Sequence, residues 1–146
     1  MLDHLLALLR EKKRFVISTH TRPDGDAIGS QLALAFFLEK LGKDVAMINT
    51  DAAPYNLSWM PGADRVEVFD GSLQQREKID RADVIVVVDT NTEERLGKPG
   101  NAIRSSGAVK VLIDHHPAPE GWFDLTYRRE EASSTGELIY ELVVAH

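Results

Sequence analysis

The run Val84-Ile-Val-Val-Val88 constrains this chain more than any other segment. Five consecutive β-branched residues leave no polar face, so a strand built from them needs cover on both sides. That cover is available to an interior strand of a parallel sheet flanked by helices. Val109 to Ile113 repeats the character, and Arg14 to Ser18 is a shorter buried strand. Between such runs the apolar spacing becomes helical, and the alternation is the mark of an α/β fold.

A first amphipathic helix is expected over Leu2 to Lys13, with Leu2, Leu5, Leu6, Leu8 and Leu9 on a broad face. A long helix is expected from about Asp26 to Leu41. Its buried side would hold Ile28, Leu32, Ala35, Phe36 and Leu38, with Gly42 as its C-cap. Asp44 to Asn49 reads as a strand, Tyr55 to Met60 as a short helix, and Pro61-Gly62 as a turn. Arg65 to Phe69 reads as a weaker strand and Leu73 to Asp80 as a short helix. Phe123 to Tyr127 has the look of an edge strand, and Ser133 to Val144 of a last helix capped by Ser133 or Ser134. The expected architecture is a doubly wound, mainly parallel, five-stranded sheet with helices on both faces. Its ligand belongs beyond the carboxyl ends of the strands.

Three polar clusters follow three of those strands. The first is His20-Thr-Arg-Pro-Asp24-Gly-Asp26-Ala-Ile-Gly29-Ser30. An imidazole and two carboxylates are metal-ligand types, and Pro23 and Gly25 would bend the loop so that they converge. The helix start behind them offers free N–H groups to a phosphate. The structural alternative is a turn with Asp26 as N-cap. The second cluster is Asp89-Thr90-Asn91, where Asp89 alone could be a helix cap. The third is Asp114-His115-His116-Pro117. Pro117 keeps His116 out of helix, so an extended chain should point the two imidazoles opposite ways and give them different roles. Its alternative is a solvated loop. Oxygen and nitrogen donors without thiols suit manganese, magnesium or zinc. A carboxylate bridging two ions ~3.5–4 Å apart is a common device for phosphate-ester hydrolysis.

Composition narrows the class. With no cysteine, disulfides, thiolate metal sites and cysteine nucleophiles are excluded. Asp+Glu number 23 against Lys+Arg 17, a net charge of -6, so the basic footprint of a protein gripping long nucleic acid is absent. No apolar run reaches the ~20 residues of a membrane span, and the N-terminus lacks the features of a signal peptide. A cytoplasmic protein without membrane association is expected.

In these motifs, His20-x-x-x-Asp24-x-Asp26-x-x-Gly29-Ser30, Asp89 and Asp114-His115-His116, the chain resembles the DHH phosphoesterase superfamily. Ala132-Ser-Ser-Thr-Gly-Glu-Leu-Ile-Tyr-Glu-Leu142 is similar to the following helix in the branch of nanoRNases and 3′-phosphoadenosine-5′-phosphate phosphatases. The resemblance runs from about Phe15 to Leu142. It implies a centre of two divalent ions, manganese first, with magnesium or zinc as alternatives. His20 and Asp24 would hold one ion, Asp26 and His115 the other, and Asp89 would bridge them. His116 would contact the scissile phosphate or a neighbouring group, with Asp114 supporting the histidines. Ser30, Ser134 and Thr135 are weaker candidates for a phosphate contact, helix capping being their alternative.

The resemblance also implies that residues 1–146 are a DHH catalytic domain cut before a further metal-binding aspartate and a smaller substrate-gripping C-terminal domain. The expected function is a metal-dependent phosphoesterase using a two-metal-activated water. Its substrate would be short oligoribonucleotides, the 3′-phosphate of 3′-phosphoadenosine-5′-phosphate, or both, and a homodimer is a candidate assembly. Alternatives within the family are a cyclic-dinucleotide phosphodiesterase, a single-strand DNA exonuclease and a pyrophosphatase. Outside enzymology they are a non-catalytic metal- or nucleotide-binding module and an ordinary α/β domain whose polar clusters only cap helices.

Overall fold

A computed structural model describes residues 1–146. Six parallel strands form one sheet: β1 (Arg14–Ser18), β2 (Asp44–Asn49), β3 (Glu67–Val68), β4 (Val84–Val88), β5 (Val109–Asp114) and β6 (Leu125–Arg128). Their spatial order is β3-β2-β1-β4-β5-β6, every neighbouring pair parallel. The sheet thus has six strands where five were expected. Both edges give weak signals, since β3 is two residues long and β6 is only half-buried along its length.

The chain starts both outward walks from the centre, β1 to β3 and then β4 to β6, so the direction of winding reverses between β1 and β4. In doubly wound sheets such a switch point places the ligand crevice at the carboxyl ends of those two strands, because the connections leave to opposite faces there.

Burial follows from the pleat. Phe15 and Ile17 of β1, Val84, Val86 and Val88 of β4, and Val111 and Ile113 of β5 point to one face. There they meet α1 (Leu2–Glu11), α2 (Gly25–Lys40) and α6 (Thr135–Ala145), in a cluster that includes Leu5, Leu9, Ile28, Leu38, Leu138 and Leu142. Val16, Ile85, Val87 and Leu112 point to the other face, towards α3 (Leu73–Arg81), α4 (Glu93–Leu96) and α5 (Gly100–Ser105). The Val84–Val88 run is buried at all five positions because it feeds both cores.

Several local expectations change. Phe36 is 40% exposed and not part of the buried side of α2; its ring lies against Gly62 at the molecular surface. Gly62 has φ +86°, and a Cβ there would sit 2.8 Å from that ring, so the turn requires glycine. The helix expected over Tyr55 to Met60 is a single 3₁₀ turn, Tyr55–Leu57. Helices α4 and α5 were not expected: at four and six residues they are too short for a periodic signal. The C-cap of α2 is Leu41, and Gly42, at φ +78°, is the left-handed residue just after it, its N–H donating to the Glu39 carbonyl. No helix is long and apolar enough to cross a membrane.

Candidate metal centre

The three clusters converge at the crevice between β1 and β4. His20 lies two residues beyond β1, Asp89 directly beyond β4, and Asp114 ends β5 with His115 and His116 after it. Asp24 and Asp26 stand at the start of α2, and Thr135 opens α6 alongside.

Asp89 is the centre of the arrangement. It is 2% exposed, and its φ of +60° is a left-handed conformation that costs a non-glycine residue on the order of 1 kcal/mol. Its Oδ2 lies 3.4 Å from His20 Nε2, and its Oδ1 lies 3.6 Å from His115 Nε2. Asp24 Oδ1 is 3.8 Å from His20 Nε2, and Asp26 Oδ2 is 3.5 Å from His115 Nε2. His20, Asp24 and Asp89 thus bring one ligand atom each within 4.8 Å of one another. Asp89, His115 and His116 do the same.

The ring nitrogens facing away explain why those contacts matter. His20 Nδ1 lies 2.7 Å from the Thr21 carbonyl and His115 Nδ1 lies 3.3 Å from the Ala132 carbonyl. A carbonyl only accepts, so each Nδ1 donates, and each Nε2 of a neutral ring turns a lone pair towards the carboxylates. Lone pairs facing anions at 3.4–3.6 Å is an arrangement that a cation completes, and back-bonding of the far nitrogen is how metal-ligating histidines are usually oriented. His116 differs. Its Nδ1 donates to Asp114 Oδ1 at 2.7 Å, so although that nitrogen is 3.9 Å from Asp89, it is already committed.

The pKa shifts follow from the same packing. The facing Asp89 carboxylate raises the His20 imidazole by favouring its charged form, against the opposing effect of its burial. Burial raises Asp89, outweighing His20, and the neighbouring Asp26 charge pushes the same way. Burial alone would raise Asp26 too, but the N–H groups of Thr135 and Gly136 hold it below the usual carboxylate range. Those donors lie 2.9 and 2.8 Å from Oδ2 and Oδ1.

Other expectations resolve at this scale. The bend expected from Pro23 and Gly25 falls at Arg22, φ +48°, whose N–H is bonded to Asp51. Asp24, not Asp26, caps α2, accepting from Ala27 N–H at 3.0 Å. The imidazoles of His115 and His116 do not point opposite ways: their centroids are 4.5 Å apart. The chain leaves extended geometry after Asp114 and bends through His116 to Ala118, the latter at φ +52°. Ser134 caps α6, Ser30 donates to Asp26, and the Thr135 hydroxyl donates to Asp89 at 3.0 Å. Sequence reasoning missed the clasp behind these groups. Arg129 bonds Glu137 and Glu141, Tyr127 bonds Glu141, and Ser133 bonds Glu137. Arg129 ahead of two glutamates one helical turn apart, Glu137 and Glu141, was its one visible signal.

Residues 14–146 match the family model described as "DHH family, N-terminal domain". The chain belongs to the DHH family. It is 32% identical over 129 residues to the bifunctional oligoribonuclease and PAP phosphatase NrnA of Bacillus subtilis, covering 87% of this chain and 37% of that protein. It is 30% identical over 158 residues to the cyclic-di-AMP phosphodiesterase GdpP of Geobacillus thermodenitrificans, covering 98% of this chain and 23% of that one. The crystal structure of an exopolyphosphatase-related protein from Bacteroides fragilis matches with a TM-score of 0.93 at 36% identity, over 99% of this chain and 43% of the other. The chain therefore spans less than half the length of these relatives.

Proposed function

We propose that the crevice between β1 and β4 is the metal centre of a phosphoesterase acting on short oligoribonucleotides, on 3′-phosphoadenosine-5′-phosphate, or on both. One observation carries this reading: the buried Asp89 carboxylate lies between two imidazole Nε2 atoms whose far nitrogens are both tied to backbone carbonyls. The substrate class comes from the likeness to relatives named for oligoribonuclease and PAP phosphatase activity.

In this reading His20 and Asp24 would hold one divalent ion, Asp26 and His115 the other, and Asp89 would serve both. The donors are hard oxygens and imidazoles, which suit manganese, with magnesium and zinc as competitors. Bound there, the pair of ions supplies Lewis acidity that lowers the pKa of a water and neutralises charge on the phosphoryl group. The chain's own side chains do the rest. Asp114, fully buried, orients His116 through Nδ1 and leaves Nε2 free, which in the protonated ring would donate to a phosphate oxygen. Ser30 and the α6 start are turned inward, bonded to Asp26 and Asp89, and so serve the carboxylates before any phosphate. The -6 net charge favours small substrates that enter the site whole over long strands that need a basic track.

The test is release of mononucleotide from a diribonucleotide and of inorganic phosphate from 3′-phosphoadenosine-5′-phosphate, each with manganese and with EDTA. Turnover that needs manganese and falls at least about 100-fold in His116→Ala is expected, roughly the share of a positioned acid or base. Manganese binding without turnover would leave the chain as a metal-binding domain. Absence of manganese binding would sink the reading.

A further inference from the structure

Thr135 touches both carboxylates of the His115 side of the centre, and no other residue donates hydrogen bonds to both. Its hydroxyl donates to Asp89 Oδ1 at 3.0 Å, and its backbone N–H donates to Asp26 Oδ2 at 2.9 Å. These two oxygens face His115 Nε2, at 3.6 and 3.5 Å. Thr135 itself is fully buried. A buried hydroxyl beside candidate metal ligands has two ordinary explanations, helix capping and a substrate contact. Capping is excluded, because Ser134 is the cap and its side chain accepts from Glu137 N–H. A substrate contact is disfavoured, because the hydroxyl is already spent on Asp89 and has no exposed surface.

We propose that Thr135 is a positioning residue that sets the spacing of Asp26 and Asp89 for the ion held with His115, and not a phosphate ligand. The proposal rests on the metal-centre reading above. A carboxylate on a short side chain can rotate about its Cβ–Cγ bond, and two acidic groups this close repel each other. The hydroxyl and N–H of one residue counter both effects. They fix each carboxylate's rotation, and they place two donors where the repulsion is strongest. The Gly136 N–H completes the cradle on Asp26 Oδ1 at 2.8 Å.

The rest of α6 is built to hold that residue still. Glu137 accepts from both the N–H and the hydroxyl of Ser133, each at 2.7 Å. Arg129, just beyond β6, joins Glu137 and Glu141, and Tyr127 adds a hydrogen bond to Glu141. Leu138, Ile139 and Leu142 anchor the helix in the core against α2. Thr135 thus couples the last helix to acidic residues 46 and 109 positions earlier in the chain.

Manganese calorimetry on the 146-residue chain tests this, comparing Thr135→Val, which keeps the shape and removes the hydroxyl, with Thr135→Ser, which restores it. The expected result is roughly 10–100-fold weaker manganese binding in the valine variant, the usual effect of losing a group behind a metal ligand. The serine variant should return to within about threefold of the parent chain. Circular dichroism melts of the metal-free variants check folding, and Thr135→Ala replaces the valine variant if that one does not fold. Unchanged manganese affinity in the valine or alanine variant, with weaker binding of inorganic phosphate to the loaded chain, would make Thr135 a phosphate contact and overturn the proposal. A serine variant as weak as the valine variant would reduce Thr135 to a packing role. If the parent chain itself binds no manganese, the metal centre fails and the positioning role goes with it.

Discussion

Strand β4 has an aspartate immediately before it, Asp83, and another immediately after it, Asp89, and the two are treated in opposite ways. Asp83 accepts the backbone N–H groups of Arg14 and Lys13 at 2.9 and 3.2 Å and the Arg14 guanidinium at 2.9 Å. The Arg14 bonds foremost hold its carboxyl down to about 2. Asp89, six residues on, has no arginine or lysine within ion-pair distance, faces imidazoles and the acidic Asp26, and has its pKa raised by burial. Its backbone also occupies a left-handed conformation, whereas Asp83 has none of that strain. One end of the sheet is closed by charges that the chain itself balances. The other keeps a negative centre that it does not balance, which is the arrangement expected where an ion has to be accommodated.

The comparison can be broken at Asp89. With free manganese at about 100 times its dissociation constant, binding adds about 2.7 kcal/mol to stability, or roughly 8 °C in Tm for a domain of this size. A thermal melt of Asp89→Ala should show none of that shift, while Asp83→Ala should keep all of it. Equal shifts in both variants would erase the difference between the two ends.

It can be sharpened without metal. Asp89→Gly removes a buried charge and suits a φ of +60°, so the metal-free chain should gain about 1 kcal/mol by urea unfolding. A loss of stability there would mean that the Thr135 hydrogen bond and the packing around Asp89 outweigh strain and charge. Functional sites commonly hold such strain at a cost to the fold.

The smallest effect is expected at Asp83, and it has a defined pH window. Its folded pKa, about 2, lies below the ordinary 3.8. The carboxylate's contribution to stability is therefore complete above 3.8 and is lost as pH falls through about 2. Asp83→Asn should lower the urea midpoint slightly at neutral pH and flatten the parent's acid-side decline between those values. A decline of the same steepness in the variant would place the acid sensitivity elsewhere.

The interior of the fold was legible because its signals are local and strong. The five-residue run of β4 has no polar face, the leucines of α1 recur at helical spacing, and Gly42 sits where α2 must end. The edges were less so: β3 has two residues, and α4 owes its place to the bond from Thr21 N–H to the Arg95 carbonyl and to Gly97 against Thr50. Gly97 has φ +70°, and a Cβ there would stand 2.7 Å from the Thr50 hydroxyl, a constraint invisible without the neighbour. Phe36 kept helical spacing with the core residues of α2 and still faces outward, because periodicity reports a face and not what lies opposite it.

Sequence by itself determined the class of chemistry. Aspartates and histidines after apolar strands, with no thiol in the chain, specify hard oxygen and nitrogen donors at one edge of a parallel sheet, since parallel strands all end on the same side. Tertiary structure decided how those donors meet. The strand order puts β1 beside β4, which brings His20 to Asp89. The bend after β5 turns His115 and His116 to the same side. The docking of α6 on α2 delivers Thr135 to two carboxylates far from it in sequence. Those contacts depend on the packing of whole elements, and no spacing along the chain encodes them.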